Sequence, residues 1–233
     1  MQVFMVGGAV RDQLMGKDPK DLDFVVVGST AAEMLSLGFE QVGKDFPVFL
    51  HPVLRHEYAL ARQERSTGAG HGDFEFVVDN ITLEDDLARR DLTINAIAIA
   101  EDGSKQIIDP FNGRSDIKNH ILRHVTDEGF VEDPLRVLRV ARFLSQFPAF
   151  SVARETTRLI KKMVADGMLA HLTAERVGNE MIKALNARHP SRFFVYLNMV
   201  GALEVLMPEL HALTKVPAGP YDHHPEGDAF VHT

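Results

Sequence analysis

Two aspartates, Asp21 and Asp23, are separated by one leucine and stand at the head of the β-branched run Val25-Val26-Val27. On a strand, residues two apart project to the same face, so both carboxylates leave one side of a sheet. Hard oxygen ligands of this kind suit Mg²⁺, which keeps several waters and bridges one or two carboxylates to substrate phosphates. Two such ions can assist an attacking hydroxyl and a leaving pyrophosphate together. An isolated Asp-x-Asp also serves simply to cap a strand, and it is the upstream segment that favours a metal seat. There Gly7 and Gly8 follow the apolar run Val3-Phe4-Met5-Val6. Adjacent glycines permit a turn that side chains would block, and the amides of such a turn can point at phosphate oxygens.

The elements that must hold these residues are legible downstream. Residues 31–38 predict a short helix entered from Ser29-Thr30 and stopped by Gly38. Phe46-Pro47-Val48-Phe49-Leu50 and Tyr58-Ala59-Leu60-Ala61 predict strands, and the whole reads as a small mixed sheet without an internal repeat. Glu57 opens the second of these strands. The segment Arg62 to Asp73 holds three glycines and almost no apolar residue, which predicts a mobile loop. Leu83 to Arg90 predicts a helix capped by Thr82, followed by a strand from Ile94 to Ala100. Arg89-Arg90 beside Glu84-Asp85-Asp86 reads equally as a solvated salt-bridge face, which contributes little to stability. Asp109-Pro110-Phe111-Asn112-Gly113 is turn chemistry.

From Glu132 the pattern becomes helical. At about 100° per residue, Val137, Leu138, Val140, Ala141 and Leu144 cover one arc, and Arg136, Arg139 and Arg142 share the opposite one. One face packs and the other presents guanidiniums. Like charges on one face repel unless an anion gathers them, and a triphosphate or a base edge would do so. A solvated arginine stripe is the plain alternative. Asp133, one turn before Arg136, supplies an acceptor beside these donors. Residues 136–162 carry seven Arg or Lys against one Glu. Arg154, Arg158, Lys161 and Lys162 fall on one helical face and make a candidate RNA backbone track, with a solvated basic helix as its rival. Thr173 can cap the next helix, in which Glu175, Arg176 and Glu180 are assigned to structure, and Phe193, Phe194, Leu197, Leu203 and Leu206 read as helical core.

The totals set limits. With 233 residues the chain can hold one large or two modest domains. Its formal net charge of −8 argues against non-specific coating of nucleic acid by the whole surface, so any RNA contact must be local. No cysteine is present, which removes thiolate metal sites and fits a reducing cytoplasm. Neither a leader-like start nor an apolar stretch of ~18 residues is visible, so the expectation is a protein neither exported nor embedded in a membrane.

Three motifs in order carry a resemblance. Gly7-Gly8-Ala9-Val10-Arg11-Asp12 with Asp21-Leu22-Asp23, then Arg89-Arg90-Asp91-Leu92-Thr93-Ile94-Asn95-Ala96, then Glu132-Asp133-Pro134-Leu135-Arg136-Val137-Leu138-Arg139, together resemble the bacterial tRNA nucleotidyltransferases. These are CCA-adding enzymes of the class shared with bacterial poly(A) polymerases, and the likeness runs from Met1 to about Pro208. It implies an α+β chain with a small mixed-sheet, polymerase-β-like nucleotidyltransferase head over residues 1–120. A helical neck and body would follow over residues 121–215, with a linker and tail at 216–233. It implies template-independent, Mg²⁺-dependent transfer of CMP and AMP from CTP and ATP to the tRNA 3′ end. Asp21 and Asp23 would hold the metal, with Glu57 completing the catalytic carboxylates. Gly8, Arg11 and Arg90 would approach the phosphates, while Asp91 and Asn95 hold ribose and backbone. Asp133 and Arg136 would read the base edge, with Arg139 and Arg142 also at the nucleotide. The loop at residues 62–73 would move between nucleotide choices. Within the same chemistry the alternatives are a poly(A) polymerase or an enzyme adding only CC or only A. From another class comes a catalytically silent tRNA-binding fragment. The ending His223-His224-Pro225-Glu226-Gly227-Asp228 with His232 resembles the entry to a His-Asp phosphohydrolase domain whose remaining ligands are missing, so no phosphohydrolase activity and a disordered tail are expected.

Overall fold

Strand β1 (Gln2–Val6) alternates its side chains so well that its last two residues, Met5 and Val6, are buried on opposite faces of one sheet. The computed structural model describes the chain apart from Lys20, residues 43–47, Arg62, residues 67–73, residues 78–80, Tyr221 and Thr233. It divides into two units, Met1–Glu132 and Asp133–Thr233.

In the first unit, β1 pairs antiparallel with β2 (Asp23–Val27), and β2 pairs parallel with β5 (Glu57–Leu60). Strands β3 (Glu40–Val42) and β4 (Val48–Leu50) extend the sheet on one side, and β8 (Ala98–Ala100) and β9 (Ile107–Ile108) on the other, in the order β3-β4-β5-β2-β1-β8-β9. This is the mixed sheet expected, and it is covered on both faces. Helix α1 (Gly8–Leu14) lays Ala9 and Val10 on Met5, Phe24 and Ile99. Leu87 of α3 (Leu83–Ala88) packs on Val6, Val25 and Ala98 from the other side. Helix α2 (Ala31–Ser36), capped by Thr30 and Glu33 in a reciprocal box, closes a third cluster through Met34 against Val26, Phe49 and Leu60.

Two local expectations are corrected. Part of the segment read as a loop is a hairpin, β6 (Gln63–Ser66) with β7 (Phe74–Val77), because residues too polar for a core can still pair their backbones. The remainder of that segment, Arg62 and residues 67–73, lies outside the described residues, as do Phe46 and Pro47 of the strand read before it. The stretch from Ile94 begins as a 3₁₀ turn, Thr93–Asn95, and only Ala98–Ala100 is strand. The two compact units divide after Glu132, beyond the head boundary expected near residue 120. The reason is that residues 121–132 are tied back into the first unit: Leu92 bridges His124, the Thr93 amide donates to the Arg123 carbonyl at 2.9 Å, and Thr126 Oγ1 donates to the Ala88 carbonyl.

Helix α4 (Gly113–Asn119) is entered through Asn112 in the left-handed region, and Asp109 accepts from the Gly113 and Arg114 amides at 2.7 and 3.0 Å. It approaches the 3₁₀ turn so closely that a Cβ on Gly113 would lie 2.1 Å from the Thr93 carbonyl oxygen.

Helix α5 (Asp127–Glu132) ends the first unit. In the second unit α6 (Leu135–Gln146) packs against α8 (Ala174–Leu185) and α9 (Ser191–Met199), with Val137, Leu138, Val140, Phe193 and Leu197 buried among them. Helix α7 (Arg154–Ala165) turns Thr156, Ile160 and Met163 inward at helical spacing. Short helices α10 (Ala202–Leu206) and α11 (Pro208–Ala212) follow. The tail expected to be disordered is instead folded over its described residues. Pro217 bridges Asp228, the Ala229 amide donates to the Val216 carbonyl at 2.8 Å, and α12 (Ala229–His232) ends it. Glu226 supplies the local glue by accepting from both His224, at 3.1 Å, and His232, at 2.5 Å. Among the described residues no helix is long and apolar enough to cross a membrane.

Gly113→Ala should lower stability by more than ~2 kcal/mol through forced overlap. Gly178→Ala, at a position in α8 with open space around it, should raise stability by ~0.5–1 kcal/mol. Urea midpoints at constant m-value check both.

Candidate functional site

Strand register brings the predicted carboxylates together. Asp23, the first residue of β2, lies opposite Val6 on β1 and beside Glu57, the first residue of β5. Asp21, Asp23 and Glu57 line one open cavity of about 410 Å³ with Leu22, Arg55 and His56. His56 stacks on Phe24 at 5.8 Å, which turns its ring along the cavity wall. Burial pushes the Asp23 carboxyl above its ordinary value, the Arg90 charge pulls it down, and the neighbouring Asp21 charge adds to the rise. A carboxylate crowded by another carboxylate is relieved by a cation.

The turn after β1 supplies the second half of the site. Gly7 has φ +70, a left-handed conformation that a side chain would strain, and a Cβ there would meet Arg90 Nη1 at 3.1 Å and Asp23 Oδ2 at 4.0 Å. The turn after β1 therefore needs glycine, where a side chain would be strained and would crowd the Arg90 guanidinium. A Cβ on Gly8 would sit 3.4 Å from Arg11 Nη2. Arg11 donates to Asn95 Oδ1 at 2.8 Å, Asn95 Nδ2 donates to Asp91 Oδ1 at 2.9 Å, and the same Asp91 oxygen accepts the Leu92 amide at 2.8 Å. Arg11, Asn95 and Asp91 thus form one hydrogen-bonded chain, and Arg90 joins it through the Asn95 carbonyl at 3.5 Å.

Two residues that position this chain were not singled out from the sequence. Asp86 is fully buried and accepts Arg89 Nη2 at 2.6 Å and Arg90 Nη2 at 3.0 Å. Burial alone would raise its carboxyl, but Arg90 and then Arg89 outweigh that and hold it below the usual carboxylate range. The solvated salt-bridge reading of this face is corrected accordingly, and the three- and four-residue spacing from Asp86 to the arginines was the signal available. Asp116 accepts Thr93 Oγ1 at 2.7 Å and Arg123 Nε at 3.0 Å, pinning the turn that carries Asn95. No local pattern links residues 23 apart, so this contact had no sequence signal.

In the second unit the arginine stripe of α6 is not a presented face. Arg136 and Arg142 are each only 8% exposed. Arg142 donates Nε to Glu180 Oε2 on α8 at 2.6 Å and lies over the Phe143 ring at 4.3 Å, so its guanidinium is held within the packing of α6 against α8. Helix α6 is enclosed because α8 offers a buried carboxylate to the side expected to face solvent. Arg139 is partly buried, also near the Phe143 ring. Asp133 accepts the Leu135 amide at 3.1 Å and both of its oxygens accept from Arg176 Nη2, at 3.2 and 3.0 Å. Arg176, assigned to structure, therefore holds the acidic residue of the motif. Arg154, Arg158, Lys161 and Lys162 are all exposed on α7, with Lys162 paired to Asp166.

A model of the poly A polymerase head domain matches residues 3–123, more than half of the chain. The chain belongs to that family. A second model, for the probable RNA and SrmB-binding site of polymerase A, matches residues 149–214, which take in α7 to α11. The multifunctional CCA protein of Aliivibrio salmonicida is 53% identical over all of this chain, which spans 57% of that relative's length. Among solved structures, a CCA-adding enzyme in complex with CTP is similar with a TM-score of 0.74 and 28% identity, over 92% of this chain and 51% of that one. The Thermotoga maritima CCA-adding enzyme complexed with tRNA gives a TM-score of 0.70 and 30% identity, over 97% of this chain and 52% of that one. The mixed sheet followed by helices is thus the fold of this head-domain family.

Glu180→Ala should destabilise the chain by ~3–5 kcal/mol, because it strands a buried guanidinium. Pairing it with Arg142→Met should recover more than half of that loss, measured by chemical denaturation as a double-mutant cycle.

Proposed function

We propose that this chain carries the catalytic and nucleotide-selecting parts of a CCA-adding tRNA nucleotidyltransferase, transferring CMP and AMP from CTP and ATP to a tRNA 3′ end with release of pyrophosphate. The observation that carries this reading is the convergence of Asp21, Asp23 and Glu57 on one open cavity beside Gly7 and Arg90. Polyphosphate and hard cations are what such a site can hold together.

The donor set fits Mg²⁺: all-oxygen, anionic, and containing a carboxyl whose charge is disfavoured until a cation arrives. We assign Asp21 and Asp23 as its ligands, with Glu57 beside them. When bound, Mg²⁺ supplies charge neutralisation for the triphosphate and acidifies the attacking hydroxyl. Arg90 and Arg11 orient the phosphates, because each guanidinium is already held by a second partner and needs little reorganisation to meet an anion. Gly7 and Gly8 leave room for that approach. Asp91 and Asn95, locked to one another, set the shape against which the sugar rests. The terminal hydroxyl of the RNA attacks the α-phosphorus in line, its proton leaves to solvent or a cavity carboxylate, and the bond to pyrophosphate breaks.

Base choice is assigned to the second unit. Asp133 and Arg136, with Arg139 nearby in sequence, offer acceptor and donors for a Watson–Crick edge, and Arg176 fixes the Asp133 carboxylate in orientation. A site built from paired polar groups rejects a base that leaves them unmatched by several powers of ten. Arg142 is left out, being engaged by Glu180. The exposed basic face of α7 is assigned to the tRNA backbone, supported by the RNA-binding description of the family model that spans it. The compartment assigned to this reaction is the cytoplasm, where tRNA and nucleoside triphosphates meet.

Radiolabelled CTP and ATP, offered to tRNA lacking its CCA end, should be incorporated as two C and one A, with UTP and GTP excluded. No extension, equal use of all four nucleotides, or a long ladder from ATP alone would each overturn the assignment. Asp21→Ala or Asp23→Asn should lower the rate by at least ~10³-fold, given how much of a phosphoryl-transfer barrier rests on charge stabilisation. Arg158→Ala with Lys161→Ala should weaken tRNA binding and make its dependence on salt shallower by ~1–2 in the log–log slope. An unchanged slope would remove α7 from the interface.

A further inference from the structure

One guanidinium in the first unit lies between two carboxylates of opposite character. Arg90 Nη2 donates to Asp86 Oδ2 at 3.0 Å, while its Nη1 lies 3.1 Å from the point where a Gly7 Cβ would be, a point also 4.0 Å from Asp23 Oδ2. Asp86 is fully buried, whereas Asp23 opens onto the cavity with Asp21 and Glu57. The two acids compete for Arg90, and the structure gives the direct bond to the buried one. Asp23 feels Arg90 only as a neighbouring charge.

The surroundings fix that choice. Asp86 sits in the first turn of α3, whose start is locked by the Thr82–Asp85 capping box, so the carboxylate cannot follow Arg90 toward the cavity. Arg89 binds the other oxygen through Nη2 at 2.6 Å and Nε at 3.1 Å, a charge-assisted contact that keeps Asp86 ionised in a place where burial opposes it. Gly7 adds no side chain as a wall between Arg90 and Asp23. The bond to Asp86 is the charged contact that holds Arg90 on the buried side.

We propose that Asp86 is a positioning residue that restrains Arg90 from pairing with Asp23, so that a cation site and a phosphate-binding guanidinium can work side by side. A guanidinium paired to Asp23 would occupy the lone pairs a divalent cation needs, and it would no longer face a phosphate. Losing Asp86 therefore weakens two functions through one displaced side chain. This inference rests on the assignment of Asp21 and Asp23 as metal ligands above.

The test measures Mn²⁺ binding to the whole chain by the loss of the free-ion electron paramagnetic resonance signal, with thermal melting to confirm folding. Asp86→Asn should weaken Mn²⁺ binding by about 10-fold and raise the KM for CTP, with kcat largely recovered at high metal. Adding Arg90→Ala to it should return Mn²⁺ affinity to the starting value, because the competing guanidinium is gone. A purely structural role for Asp86 predicts no such rescue. Unchanged Mn²⁺ affinity in a folded D86N chain, or a D86N/R90A chain as weak as D86N, overturns the proposal. Should D86N fail to fold, Arg90→Ala alone decides: equal or tighter Mn²⁺ binding supports restraint of Arg90, and weaker binding overturns it. If Asp23→Asn leaves Mn²⁺ binding intact, it is the underlying metal assignment that fails, whatever Asp86 does.

Discussion

The parallel pairing of β2 with β5 is the constraint on which the first unit's chemistry depends. It aligns Asp23 with Glu57 at the same end of two strands, and the antiparallel pairing with β1 brings Val6, and so the Gly7 turn, to that end as well. A slip of one residue would turn every side chain of a strand to its other face. Here the slip is opposed from both sides, because Met5 with Phe24 and Val6 with Val25 bury opposite faces of the same strands. The apolar core therefore does more than stabilise the sheet. It sets the register that makes three carboxylates neighbours.

Buried charge performs the finer placement in both units. Asp86 holds Arg89 and Arg90, Asp116 holds Thr93 and Arg123, and Glu180 holds Arg142. A buried ion pair is weak evidence for net stability, since desolvation offsets most of its attraction. What it does supply is direction, because breaking it leaves an uncompensated charge and so penalises every other arrangement. In the first unit that direction serves the proposed phosphate contacts. In the second it fastens α6 to α8.

Much of the fold could be read locally. The caps at Thr30, Thr82 and Thr173, the stop at Gly38 and the turn at Asp109 to Gly113 depend on residues a few positions apart, and each lies where the pattern put it. Errors arose where a local pattern met a distant partner. The polar segment after Ala61 found a strand to pair with, the run from Ile94 bent into a 3₁₀ turn against α4, and the His-rich tail closed on itself through Glu226. Composition describes how well a segment stands alone. It does not describe what another segment offers it.

By itself the sequence determined which chemistry was available: two aspartates one residue apart at the head of a strand, a glycine pair able to turn, and arginines spaced for anions. Short-range geometry is written in residue spacing, because a strand repeats every two residues and a helix every 3.6. The tertiary structure decided which charges remained at the candidate site and which became supports. Arg90 and Arg142 look alike in the chain, yet one is held by Asp86 where its charge still reaches Asp23 and the other is enclosed by Glu180. That difference is set by carboxylates four positions before one arginine and 38 after the other, and only folding brings the second within reach.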